Sequence, residues 1–142
     1  MYRIVRCTED DYRTLAGIWE RSVHATHLFL NEEDIEEIKS ALIPEYFPNV
    51  DLYAASDGTV VAGFIGQRSD VVEMLFIDSP YRGEGYGSLL IDFAKEKGAT
   101  KVDVNEQNPS ALGFYVAKGF RIIGRDDRDD AGRPYPILHM SL

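Results

Sequence analysis

The sequence predicts an α+β domain: a central mixed, mostly antiparallel, twisted sheet of about seven strands flanked by about four helices. Three observations predict it. Short segments that alternate apolar and polar residues interleave with segments that repeat apolar residues every three or four positions, in the order β-α-α-β-β-β-α-β-α-β-β. A nearly continuous apolar run from Val71 to Ile77 lies mid-chain, as a strand covered on both faces requires. Asp57-Gly58 joins two strand-like segments and suits the positive backbone angles of a tight hairpin turn.

Tyr2 to Cys7 alternates apolar and basic residues and reads as the first strand, followed by Thr8 and Asp11 at capping-box spacing. Leu15, Ile18, Trp19 and Val23 give the first helix one apolar face. Asn31 with Asp34 opens a second helix bearing Ile35, Ile38 and Leu42, which ends before Pro48. Leu52 to Ala55 and Val60 to Gly66 flank the hairpin turn, and Asp78-Ser79-Pro80 closes the central strand. A glycine-rich turn leads into a helix carrying Leu89, Leu90, Phe93 and Ala94 and ended by Gly98. Lys101 to Asn105 is a strand, and Asn108-Pro109 caps a short helix that stops at Gly119. Phe120 to Gly124 and Ile137 to Leu142 complete the sheet around a polar tip, with Arg125 to Asp130 read as solvated.

The length of 142 residues suits one domain, taken as residues 1–142. Apolar residues make up 44% and charged residues 27%, a globular balance. The formal net charge of -9 opposes a general affinity for nucleic acid, which relies on cations neutralising phosphates. A lone cysteine, Cys7, excludes an intramolecular disulfide and a cysteine zinc cluster. No apolar run approaches the ~20 residues that span a bilayer. The expectation is a cytoplasmic protein, not exported and not in a membrane.

The most informative stretch runs from Met74 to Leu90. It sets Arg82-Gly83-Glu84-Gly85-Tyr86-Gly87-Ser88 between a buried strand and a helix start, where free N–H groups and the positive end of the helix dipole converge. That is a site for an anion such as a pyrophosphate. A dinucleotide fingerprint would need glycine where Ser88 stands and would follow the first strand, and no Gly-Lys-Ser/Thr triplet makes a Walker loop. Further on, Asn108, Ala111, Tyr115 and Lys118 recur at intervals of three or four and share a helical stripe.

Arg82 to Gly87 resembles the Gln/Arg-x-x-Gly-x-Gly/Ala signature of the GNAT N-acetyltransferases. Asn108 to Phe120 is similar to the family's second motif, Asn-x-x-Ala-x-x-Phe-Tyr-x-x-x-Gly-Phe. The two stand in the family's order, and Ser22 to Leu30, Val104 to Asn108 and Gly132 to Tyr135 resemble a bacterial YjaB-type subgroup. The resemblance implies a GNAT-like fold that binds acetyl-CoA and passes its acetyl group to an amine by direct attack in a ternary complex. It implies that the backbone of Leu75, Phe76 and Ile77 bonds the pantetheine arm where two strands splay apart, and that Arg82 to Ser88 hold the pyrophosphate. Asn108, Phe114 and Tyr115 would line the far wall, with Tyr115 at the thioester sulfur.

An amine acceptor also needs a route to lose its proton, since fewer than ~0.1% of lysine-like amines are neutral at pH 7. Glu73 is the candidate base, the only ionisable residue between Val71 and Ile77, and simple alternation puts it on the face of Leu75 and Ile77. His24, His27, Glu106 and Tyr135 are candidates for the acceptor site, the histidines because they titrate near neutrality. No third ligand accompanies the two histidines, so no metal is expected. Cys7 lacks an adjacent base and is a poor nucleophile. Peptide or small-molecule amines fit as acceptors, for a monomer or homodimer, and a non-catalytic acetyl-CoA sensor is the alternative to an enzyme.

Overall fold

A computed structural model describes residues 1–142. One seven-stranded sheet runs through it in the order β1-β2-β3-β4-β5-β7-β6. The strands are β1 (Arg3–Arg6), β2 (Asp51–Ser56), β3 (Val61–Arg68), β4 (Val71–Ile77), β5 (Lys101–Asn105), β6 (Arg121–Asp126) and β7 (Ile137–Ser141). The helices are α1 (Tyr12–Thr26), α2 (Glu32–Ala41), α3 (Tyr86–Glu96) and α4 (Pro109–Ala117). The expected mixed, mostly antiparallel sheet with four helices is therefore the observed one, all neighbours being antiparallel except β4 and β5.

Alternation along the strands divides the interior into two cores, one on each face of the sheet. Leu15, Ile18, Val23, Ile35 and Phe47 pack with Leu52, Ala54 and Phe64 beneath α1 and α2. Leu90, Ile91, Ala94 and Tyr115 pack with Ile65, Val72, Val102 and Met140 beneath α3 and α4. Asp57 stabilises the β2–β3 turn by accepting from the N–H groups of Thr59 and Val60 at 2.8 and 2.7 Å.

One expectation about the elements needs correction. The second helix is α-helical only to Ala41, then widens into a π turn over Leu42–Tyr46 and a 3₁₀ turn over Phe47–Asn49. Pro44 has no N–H to continue the ladder and its ring displaces the carbonyl four residues back, so the turn opens rather than continuing. Arg125 to Asp130 are exposed save the partly buried Asp129, as a solvated tip requires, and it is beyond them that the loop docks. The Arg133 side chain is only 12% exposed and reaches Glu37 on α2 at 2.6 Å and Asp129 at 3.3 Å, which docks the loop on α2.

The feature that positions the site is the parallel pair in the middle of the sheet. β4 and β5 meet at only two points, Val71 opposite Lys101 and Val72 opposite Val102. Beyond Val72 the strands diverge, leaving the β5-facing edge of Met74 to Ile77 without a strand partner. The gap is a wedge open at the C-terminal ends of both strands.

Candidate active site

A cavity of 130 Å³ occupies the wedge, between Val72 to Phe76 on one side and Val102 to Asn105 on the other, with Asn108, Ala111 and Tyr115 behind it. A second cavity of 190 Å³ continues it outward past Leu75, Phe76 and Ile77 to Arg82, Gly87 and Phe114. Asn108, Ala111 and Tyr115 line both, so the helical stripe seen in the sequence is a wall of the site. Asn108 is buried and caps α4, its Oδ1 accepting from the Ala111 N–H at 3.2 Å.

At the mouth, Asp78 caps the turn Ser79–Tyr81, and Gly83 and Gly85 take φ of 77° and 89°. Gly85 stands at the start of α3, and the first intrahelical bond is Leu89 N–H to the Gly85 carbonyl at 3.1 Å. The N–H groups of Tyr86, Gly87 and Ser88 thus have no intrahelical acceptor and face the loop end of the helix. A Cβ at Gly83 or Gly85 would meet nothing within 4 Å, so the backbone there is open to a ligand. Arg82 lines the outer cavity with no carboxylate partner, and Glu84 is exposed.

Tyr115 is buried, and burial holds its phenol above the usual value. Its hydroxyl takes no protein partner, yet it is not among the sealed polar atoms, so it opens into the cavities the residue lines. Phe114 packs edge-on against it at 5.1 Å and lies across Gly87, where an added Cβ would stand 3.4 Å from the ring.

The candidate base is not where alternation placed it. Gly66 pairs with Met74 and Gln67 with Val72, which leaves Glu73 as the extra residue of a β-bulge. The bulge shifts the pleat by one: Val72, Leu75 and Ile77 pack on the α3–α4 side, Met74 and Phe76 on the α1–α2 side. Glu73 joins Met74 and Phe76 in lining a cavity on the α1–α2 side and also borders the wedge. Its side chain is 31% exposed and bonds Arg68 at 2.8 Å.

The structure separates the two histidines. His24 is exposed, 3.6 Å from Glu32, and lines no part of the wedge. His27 ends α1 and lines both cavities beside Tyr115. Burial pulls its pKa down to about 4, so it is neutral at pH 7. Thr26 Oγ1 spends its one proton on the Ser22 carbonyl at 2.7 Å, so the His27 Nδ1 at 2.7 Å must donate to that oxygen, leaving Nε2 as the basic nitrogen.

Glu106 and Tyr135 are not brought to the wedge. Glu106 is exposed and holds Arg125, which lowers its pKa. Tyr135 donates its hydroxyl to Asp34 on α2 and touches the site only at one remove, through Phe29 at 6.0 Å, whose ring lies 5.3 Å from His27. Cys7 is buried and its thiol is pushed up to about 12, which makes it inert as expected. Sequence reasoning missed the bidentate pair of Arg21 with Asp78 behind the loop, since nothing in the order of residues links positions so far apart.

The Acetyltransferase (GNAT) domain family matches residues 15–140. The chain belongs to the GNAT acetyltransferase family. It is 38% identical to the peptidyl-lysine N-acetyltransferase YjaB of Salmonella typhimurium, over 99% of this chain and 97% of that one. The solution structure of apo YjaB from Escherichia coli superposes with a TM-score of 0.90 at 35% identity, covering 99% of this chain and 97% of the other. The PaiA N-acetyltransferase of Thermoplasma acidophilum, solved in complex with coenzyme A, shares the fold at 21% identity and TM-score 0.72, covering 100% and 99%. GNAT membership and the YjaB relatives make this chain an acetyltransferase, so the enzyme holds over the non-catalytic sensor. No helix is long and apolar enough to cross a membrane, and no cluster of side chains could hold a metal ion.

Proposed function

We propose that residues 1–142 form one domain that transfers the acetyl group of acetyl-CoA to the ε-amine of a lysine in a peptide or protein, by direct attack in a ternary complex. The observation that carries this reading is the wedge itself: a strand edge without a partner, a loop of free N–H groups at its mouth and an open phenol at its floor. The relatives named as peptidyl-lysine N-acetyltransferases support the choice of lysine, and GNAT neighbours solved with coenzyme A or acetyl-CoA support the donor.

The pyrophosphate sits on the N–H groups of Tyr86 to Ser88 with Arg82 supplying charge, while Gly83 and Gly85 let the backbone approach. The backbone of Leu75 to Ile77 bonds the pantetheine amides along the free edge of β4. Tyr115 faces the thioester sulfur. A phenol near 10 already protonates a thiolate near 8.5 only at a cost of about 2 kcal/mol, and burial raises that cost further. Tyr115 therefore acts chiefly by donating a hydrogen bond to the leaving sulfur. Glu73, beside the wedge and solvated, takes the amine's proton directly or through water. His27 is the second reading for the base, favoured by its neutral ring and its place beside Tyr115.

All these residues come from one chain, which suits a monomer or a homodimer. A lone, buried cysteine suits the reducing cytoplasm. The reading is tested by incubating the protein with acetyl-CoA and lysine peptides while following free thiol and product mass. Thiol release matched by a 1:1 gain of acetyl on lysine is expected, with loss of acetyl-CoA binding in a folded Gly85→Glu variant. A protein that binds acetyl-CoA but acetylates no lysine would overturn it.

A further inference from the structure

On the α1–α2 side of β4 lies a cavity of 380 Å³ walled by Trp19, Ile38, Met74 and Phe76. It meets the wedge at Glu73, Met74 and Phe76, which line both. A further cavity of 250 Å³ continues from it across Ile38, Tyr46 and Asp130, which the two share, and ends on Asp103. Together they make one groove leading from the β6–β7 loop to Glu73, and from there to Tyr115.

The groove is apolar along its walls and negative along its rim. Its ionised side chains are Glu73, Asp103, Asp129 and Asp130 against Arg68 and Arg133. Both cations are already neutralised, Arg68 by Glu73 at 2.8 Å and Arg133 by Glu37 and Asp129 with Asp34 close by, and Asp103 is held by His139 at 2.7 Å, which leaves Asp130 as the unpaired carboxylate. Asp130 is exposed and has no cationic partner. A groove with this imbalance favours a cationic occupant and repels an acidic one.

We propose that this groove seats an extended peptide segment in which the acceptor lysine has a second lysine or arginine within two or three positions, and that Asp130 selects for it. The inference rests on the acetyl-transfer reading above. The acceptor's aliphatic stem lies along Trp19, Met74 and Phe76, its amine arrives at Glu73, and the neighbouring cation sits on Asp130, the carboxylate without a partner. Asp130 is a specificity residue that touches the peptide and not the reacting atoms.

The test uses two capped peptides that differ only beside a single lysine, with arginine on either side in one and glutamate in the other. Turnover is followed with acetyl-CoA, and binding is read by the fluorescence of Trp19, the only tryptophan in the chain. The arginine peptide should be favoured by about 10-fold or more in kcat/KM, carried in KM. Asp130→Asn should narrow that ratio and Asp130→Lys should bring it within about twofold. Equal kcat/KM for both peptides in the wild type, or a preference untouched by Asp130→Lys, would overturn the proposal while leaving acetyl transfer standing. Selective binding of the arginine peptide without acetylation would do the reverse.

Discussion

Arg21 holds Asp78 through two parallel hydrogen bonds, Nε to Oδ1 at 2.8 Å and a terminal guanidinium nitrogen to Oδ2 at 2.9 Å. Asp78 is buried and is the first residue after β4, so the pair fixes the point from which the glycine loop departs and ties it to α1. Gly17 leaves the room, because a Cβ there would stand 3.2 Å from the guanidinium. Arg21→Ala strands a buried carboxylate with little but the Ser79 N–H at 2.9 Å, at a cost of about 2 kcal/mol once the exposure of Arg21 is allowed for. Denaturant titration should register that loss. Calorimetry should show acetyl-CoA affinity falling about 10-fold while kcat at saturation changes far less, because the loop is misplaced and the chemistry is not.

Glu73→Gln removes a proton acceptor without changing the volume at the bulge. Turnover should drop about 10-fold to 100-fold at pH 7 and recover toward wild type as pH approaches 10, where the amine is already neutral. His27→Gln serves as the comparison. If its profile recovers at high pH and that of Glu73→Gln falls equally at every pH, the histidine is the base and Glu73 serves only through its charge.

Tyr115→Phe keeps the packing against Phe114 and Phe120, at 5.1 and 5.8 Å, and deletes only the hydroxyl. Acetyl-CoA affinity should be nearly unchanged while turnover falls about 10-fold to 1000-fold. Both are measured on one folded preparation. Wild-type turnover would reduce Tyr115 to a packing residue.

Two histidines should give stability opposite slopes with pH. His27, held to about 4 by burial, refuses a proton that the unfolded chain accepts near 6.5, so its contribution worsens as pH falls through that window, by at most ~1.4 kcal/mol per unit. His139 lies between Asp103 at 2.7 Å and Asp126 at 2.6 Å, which raise its pKa. Its stabilisation is complete below its unfolded pKa and lost as pH rises through the higher folded one. Urea midpoints between pH 5.5 and 8.5 check both. His139→Gln should be most costly at the acid end, while His27→Phe should flatten the acid-side loss.

The element order and the glycine loop at the start of α3 were legible in the sequence because each is written in local signals. Periodicity marked α1, Asp57-Gly58 marked the β2–β3 hairpin, and the glycines at 83 and 85 marked the loop, where they take positive φ. The bulge at Glu73 left no such mark. Apart from Glu73 the run is apolar, so its other residues fit either face and nothing in their order fixes where the register slips. His27 and His24 are likewise equivalent in sequence, and it is the tertiary packing that sets His27 on Phe76 at 6.2 Å and leaves His24 exposed. That Glu106 and Tyr135 stand away from the wedge was not legible, because their partners, Arg125 and Asp34, lie 19 and 101 positions away.

The two rungs that join β4 to β5 divide the machinery between two jaws. Glu73 and the glycine loop ride on one, whereas Asn108 and Tyr115 ride on the other through β5 and α4. The span from Glu73 to Tyr115, the proposed proton acceptor and leaving-group donor, is thus the opening of a clothes-peg whose spring is a pair of backbone contacts at Val71 and Val72. A side chain altered near that spring, far from either substrate, would reset the reach between the two ends of the reaction without touching any group that performs it.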